Sequence, residues 1–182
     1  MYCPEIQSEI KNAQIVKINN AGTDYQFSEY AFGEHGTLVN VALINEIVSG
    51  LTKLITETAP NFDLLVAPVP GGHAWGLALG YSLQKDILIL RTHDVAVGNR
   101  NTVIINGYSR KHLCYTPIAK NLQIIIVDDV ISSGATLADM VHHFQGQVVG
   151  AYAIYTKSFS KLQLSEKYQI PFYALVDESE ME

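Results

Sequence analysis

Two adjacent carboxylates, Asp128 and Asp129, stand at the end of an apolar run in the stretch "IIIVDDVISSGATLAD", and directly after them come Ser132, Ser133, Gly134, Ala135 and Thr136. A carboxylate only accepts hydrogen bonds, so the pair suits vicinal hydroxyls of a ribose or the waters of a magnesium ion, and it repels phosphate. The small residues let the backbone curl closely. The N–H groups opening the next helix then present an anion seat at the positive end of its dipole. Acids for the hydroxyls of a sugar and amides for its terminal phosphate are thus placed a few residues apart. The stretch lacks the Gly-Lys-Ser/Thr of a nucleoside-triphosphate loop and the three-glycine dinucleotide fingerprint. The plainer account is an acidic strand end followed by a helix capped by Ser133 or Thr136. The complete order of strand, acid, acid, loop and helix favours the binding role.

Something must hold those residues at a strand end. Apolar residues recur at helical spacing over residues 38–58, with Gly50 as an interior cost, which predicts a long amphipathic helix. Short β-rich runs follow at 64–67, 87–90, 124–127, 148–154 and 172–176. Between them lie "GGHAWGLALGYSLQ", "GATLADMVHHFQ" and "SFSKLQLSEKYQ", each long enough for a crossover helix. The class is α/β: an open, mainly parallel five-stranded sheet with helices on both faces. Residues 92–120 break the alternation and read as an inserted flexible hairpin, which with the N-terminal segment 1–37 makes a small hood. In such a sheet the ligand lies beyond the carboxyl ends of the strands, where neighbouring connections diverge. Asp128 and Asp129 occupy such a place.

The 182 residues, 48% hydrophobic, suffice for one well-buried core, and no linker or repeat divides them, so a single domain over 1–182 is expected. Twelve Lys and Arg against eighteen Asp and Glu give a net charge of −6, the wrong sign for tracking nucleic acid. No run is long and apolar enough for a membrane span, and the first ten residues do not read as a secretion signal, so a cytoplasmic protein is expected. Cys3 and Cys114 read as reduced thiols. His142 and His143 are sequence neighbours, not the i, i+4 pair of a zinc helix, and read as surface or half-buried. His73 sits in a glycine-rich loop. Trp75, Tyr81 and Leu83 read as core, and the acidic "DESEME" end as frayed.

"IIIVDDVISSGATL" resembles the phosphoribosyl diphosphate motif of type I phosphoribosyltransferases. The resemblance implies that Asp128 and Asp129 contact the ribose hydroxyls and that Ser132, Ser133, Gly134, Ala135 and Thr136 hold the 5′-phosphate. "DLLVAPVPGGHAWGLALG" is similar to the family's diphosphate loop, with Pro70, Gly71 and Gly72 offering backbone amides; the family's basic residue there is Gly71 here, which weakens diphosphate binding or shifts it to Arg91 and the hood. "NGYSRKH" falls where the family has a loop that closes over the site, bringing Tyr108, Ser109, Arg110 and Lys111 to the diphosphate. "IPFYALVDE" is similar to the last strand of adenine phosphoribosyltransferases. Ser132 stands where the hypoxanthine and guanine branch has Asp, and the pattern is closer to the adenine and xanthine branches. The implied partners are phosphoribosyl diphosphate and a nucleobase, with magnesium held through substrate and water near Asp128 and Asp129 rather than by direct protein ligands. Phe27 and Phe172 are candidates for stacking on the base, and a homodimer is expected. A phosphoribosyl-diphosphate-sensing regulator, an orotate enzyme and a silent partner chain stay open as alternatives.

Overall fold

The computed structural model describes residues 3–20, 23–33, 38–92, 100–106, 110–157 and 165–181. The N-terminal segment forms α1 (Pro4–Asn12) and a separate antiparallel ribbon of β1 (Gln14–Asn20) and β2 (Thr23–Glu29). Asn40 then caps α2 (Val41–Thr58), its Oδ1 accepting from Leu43 N at 2.8 Å, so the helix starts three residues after the apolar periodicity does. The chain continues through β3 (Leu64–Pro68), α3 (Gly72–Leu83), β4 (Asp86–Thr92), β5 (Asn101–Asn106), β6 (Arg110–Tyr115), β7 (Ile124–Ile131), α4 (Ala135–His143), β8 (Val148–Thr156) and β9 (Phe172–Asp177).

The main sheet has the order β5-β6-β4-β3-β7-β8-β9. Its five predicted strands, β4, β3, β7, β8 and β9, are all parallel. The inserted hairpin is present, and the expected count of five strands in the sheet is corrected. Strands β5 and β6 pair antiparallel with each other and β6 pairs antiparallel with β4, which extends the sheet to seven strands. The reason lies in their alternation: Val103, Ile105, Leu113 and Tyr115 point one way and are buried, so the hairpin has an apolar face that only the sheet's own core can cover.

That core is double. On one face Val66, Ile124 and Ile126 pack with the hairpin and with Leu137, Met140 and Val141 of α4. On the other, Leu65, Ile125 and Val127 pack with α1, α2, and Trp75 and Leu79 of α3. Near-continuous apolar strands follow directly, because both faces need apolar residues. Trp75 is buried as expected and Leu83 is half-buried, but Tyr81 is 83% exposed. It lies off the stripe by which Trp75, Leu79 and three glycines meet the sheet. Of the third crossover, residues 158–164 lie outside the described residues and 165–168 are helical. Cys3 and Cys114 are free thiols. Among the described residues no helix is long and apolar enough to cross a membrane.

Candidate active site

From β3 the chain leaves through α3 to β4 on one side, and from β7 it leaves through α4 to β8 on the other, the two helices covering opposite faces. The connections therefore diverge between β3 and β7, the place where an open parallel sheet makes a crevice. Pairing between β3 and β7 ends at Val66 and Ile126, whereas β7 stays paired with β8 as far as Ile131 and Thr156. The β3-side edge of β7 is thus uncovered from Val127 onward, and the turn after β3 lies against it. A Cβ built on Gly72 would stand 2.5 Å from Val127 O and 3.1 Å from Asp128 Cα. Only glycine lets the turn come this close.

Asp128 is 7% exposed and Asp129 half-buried. Each carboxylate accepts the amide of the following residue: Asp129 N donates to Asp128 Oδ1 at 3.0 Å and Val130 N to Asp129 Oδ1 at 2.7 Å. These bonds fix both side chains at the mouth of the crevice. Beyond them Ser132 and Ser133 are exposed, Gly134 is buried with φ +75°, and Ala135 and Thr136 open α4. Gly134 supplies the left-handed residue that turns the chain into the helix. The N-cap of α4 is Gly134, with no side-chain cap; Ser133 Oγ accepts from Ala135 N at 3.4 Å one residue ahead of it, and the first-turn amides of α4 point into the loop.

Across the crevice, Val69–Pro70 is a cis peptide and Gly71 is the N-cap residue of α3. His73 in this loop bonds back to its own turn, Nδ1 lying 2.5 Å from Pro70 O. The space beside the Gly71 Cα is taken by Asp129: a Cβ built there would meet the carboxylate carbon and both its oxygens closer than 3.0 Å. Arg91, exposed at the carboxyl end of β4, lies on the same edge of the sheet, because Leu90 is level with Pro68. Lys111 is half-buried on β6 opposite Ile105. Arg110 pairs through its backbone with Asn106, and its side chain, like Tyr108 and Ser109, lies outside the described residues. So does the side chain of Phe27 on β2, whose backbone pairs with Val16 of β1. Phe172 is not brought to the site. It opens β9 level with Ala151, two residues before the level of Asp128, and is 3% exposed in the core shared with α4.

Three features were not foreseen. The segment 30–33 reaches the site: Trp75 Nε1 donates to Phe32 O at 2.8 Å, the Tyr30 and Phe32 rings stack at 5.0 Å, and a Cβ on Gly33 would lie 3.6 Å from Asp129 Oδ2. Tyr155, at the carboxyl end of β8, donates to Glu178 Oε1 at 3.0 Å and meets Tyr30 edge-on. Asp139 Oδ2 accepts Asn106 N at 2.6 Å, tying the end of β5 to α4. No local pattern marks the bonds Trp75–Phe32, Tyr155–Glu178 and Asn106–Asp139, since each joins residues more than twenty positions apart.

The amino-acid sequence itself has relatives among known proteins. A hypoxanthine/guanine phosphoribosyltransferase of Methanocella arvoryzae is 30% identical over 141 residues, spanning 75% of this chain and 68% of that protein. The chain belongs to the type I phosphoribosyltransferase family. A second hypoxanthine/guanine phosphoribosyltransferase, from Aciduliprofundum boonei, is 26% identical over 137 residues, spanning 75% of this phosphoribosyltransferase-family chain and 71% of that protein. The fold agrees. The adenine phosphoribosyl transferase of Trypanosoma brucei, solved with AMP, pyrophosphate and ribose-5-phosphate, superposes with a TM-score of 0.73 at 16% identity, covering 98% of this chain and 80% of that one. No family model matches the chain. The relatives of this phosphoribosyltransferase-family chain are named for several bases: hypoxanthine and guanine, adenine, and orotate.

Proposed function

We propose that this chain, acting as one phosphoribosyltransferase domain over 1–182 in the cytoplasm, transfers the 5-phosphoribosyl group from phosphoribosyl diphosphate to a purine, adenine first and xanthine second. The observation that carries the reading is the meeting of Asp128, Asp129 and the 132–136 loop with Gly71 and Gly72 at the divergence between β3 and β7. In the reaction a ring nitrogen of the base bonds to C1 of the ribose, the C1–oxygen bond breaks, diphosphate leaves with the electron pair, and the nitrogen's proton goes to solvent. The transition state spreads positive charge over the ribose, so no covalent nucleophile is needed; the site positions the partners and excludes water.

Asp128 and Asp129 orient the ribose hydroxyls. The amides around Gly134, Ala135 and Thr136 hold the 5′-phosphate, and Ser132 and Ser133 donate hydroxyls beside it. Pro70, Gly71 and Gly72 shape the turn that receives the diphosphate, with Arg91, Arg110 and Lys111 as the cations for it and Tyr108 and Ser109 on the same hairpin. Two fixed carboxylates, one nearly buried, are a hard-oxygen donor set that fits magnesium through its water shell. When bound, the ion neutralises charge on the leaving diphosphate. Ser132 supports adenine, because a 6-oxopurine gains from an ionisable group near its N7 and a serine hydroxyl supplies none at neutral pH. The chain is further proposed to be a homodimer, which sedimentation tests directly.

The deciding experiment offers adenine, xanthine, hypoxanthine, guanine and orotate with phosphoribosyl diphosphate and magnesium, and follows diphosphate release. Adenine is expected to give the highest kcat/KM. Hypoxanthine or guanine ahead of adenine would refute the role of Ser132, efficient use of orotate would move the chain to another branch, and binding with no release for any base would make it a sensor.

A further inference from the structure

Position 71 has a backbone that any residue adopts, φ −70° and ψ −55°, so conformational freedom does not explain a glycine there. Space does. The atoms nearest to a Cβ built on it are the carbon and the two oxygens of the Asp129 carboxylate. The same carboxylate accepts Val130 N at 2.7 Å, which sets its direction, and its Oδ2 lies 3.6 Å from a Cβ built on Gly33. The N-terminal segment thus closes the carboxylate in from another side, where Gly33 N donates to Tyr30 O at 2.9 Å and Phe32 is fastened to Trp75. One carboxylate therefore sits between two glycines brought from two separate parts of the chain.

We infer that Gly71 is a positioning residue in this chain: its missing side chain is the seat of the Asp129 carboxylate, and a side chain added at 71 moves that carboxylate from the place it holds here. The inference rests on the function proposed above and adds to it that the turn after β3 governs the geometry of the acid on β7. A cation placed at position 71 would not strengthen the site; it would dislodge the acid. The contact at Gly71 is with the end of a movable side chain, so Gly71→Ala folds and shifts the carboxylate. The contact at Gly72 is with the backbone oxygen of Val127 and the ring of Pro68, so Gly72→Ala strains the sheet itself.

The test is a double-mutant cycle on the full chain with a second readout that needs no turnover. Gly71→Ala is expected to lower kcat/KM for phosphoribosyl diphosphate by about 10-fold or more, with a melting temperature within about 2 °C of the wild type, as for a substitution that disturbs no core packing. Gly72→Ala lowers the melting temperature instead. In an Asp129→Ala background, Gly71→Ala costs less than about 2-fold, because the atoms it displaces are gone. Gly71→Lys is expected to be no better than Gly71→Ala. The carboxyl 13C resonance of Asp129 in the unliganded protein moves in Gly71→Ala. Wild-type kcat/KM in Gly71→Ala, an equal cost in both backgrounds, a gain in Gly71→Lys, or an unmoved Asp129 resonance would each overturn the inference. A wild-type chain that turns over no base fails the proposed function instead, and the resonance still decides whether Gly71 seats the carboxylate.

Discussion

Asp128 and Asp129 are neighbours in different surroundings, the first nearly enclosed against β8 and the second at the crevice between the two loops. Removing the charge of the second while keeping its shape isolates what the charge does. Asp129→Asn retains an oxygen for Val130 N, so the strand end keeps its geometry, but hydrogen bonds to an ionised acceptor are lost. At about 1.5–3 kcal/mol for a bond to a charged group, turnover is expected to fall by about 10- to 100-fold while the melting curve stays put. Steady-state kinetics with thermal melting checks both, and unchanged turnover would remove the acid pair from the chemistry. At this scale much was legible in sequence, since a carboxylate pair followed by small residues is a local pattern. What was illegible is steric. Gly71 looked like a lost cation, and only the folded chain shows that its place is taken by a side chain 58 positions away.

The element with the most to say is the β5–β6 hairpin. Its apolar face is buried on α4, Tyr115 bonds to His143 Nε2 at 2.7 Å, and Asn106 N is held by Asp139 Oδ2. The helix that opens on the 132–136 loop therefore also anchors the end of β5 beside the residues proposed to meet the diphosphate. Asp139→Ala is expected to raise hydrogen exchange at Asn106 by about 10-fold and leave the β3 amides unchanged, since local openings follow local bonds. Asp139→Asn, which keeps an acceptor, should stay near the wild type. Equal exchange in Asp139→Ala would mean that apolar packing alone holds the hairpin. The sequence revealed this hairpin through its β-prone runs. It could not reveal where the hairpin docks, because pairing partners at a sheet edge depend on which edge is left open. The five parallel strands were legible for the opposite reason, being apolar on both faces.

Across the whole molecule, several weak acids are held neutral by the fold. Burial raises the Cys3 thiol above its ordinary 9.0, with the charge of Glu46 adding to it. Burial likewise raises the phenols of Tyr115, Tyr152 and Tyr155 above 10.0, and for Tyr155 the bond to Glu178 adds further. In each case the unfolded chain loses its proton first. Once pH passes the unfolded values, the folded state binds more protons than the unfolded one, and stability falls as pH rises. These groups should contribute no slope through neutral pH and a downward slope above about pH 9 to 10. Tyr155→Phe should flatten that slope, although it removes the bond to Glu178. Melting temperatures from pH 7 to 11 measure it, and parallel curves for the two proteins would exclude Tyr155 as a contributor.

The seating of Asp129 against Gly71 also constrains how such a site can change over generations. A single substitution that puts a side chain at 71 must first disturb the acid, and a single change at 129 gives up the acid before anything replaces it. The two positions are expected to behave as an epistatic pair in this chain, each single change costing activity. A lineage holding this glycine is therefore expected to vary elsewhere in the loop and to keep 71 and 129 together, so that laboratory evolution toward a cationic diphosphate turn has to begin from libraries randomised at both positions at once.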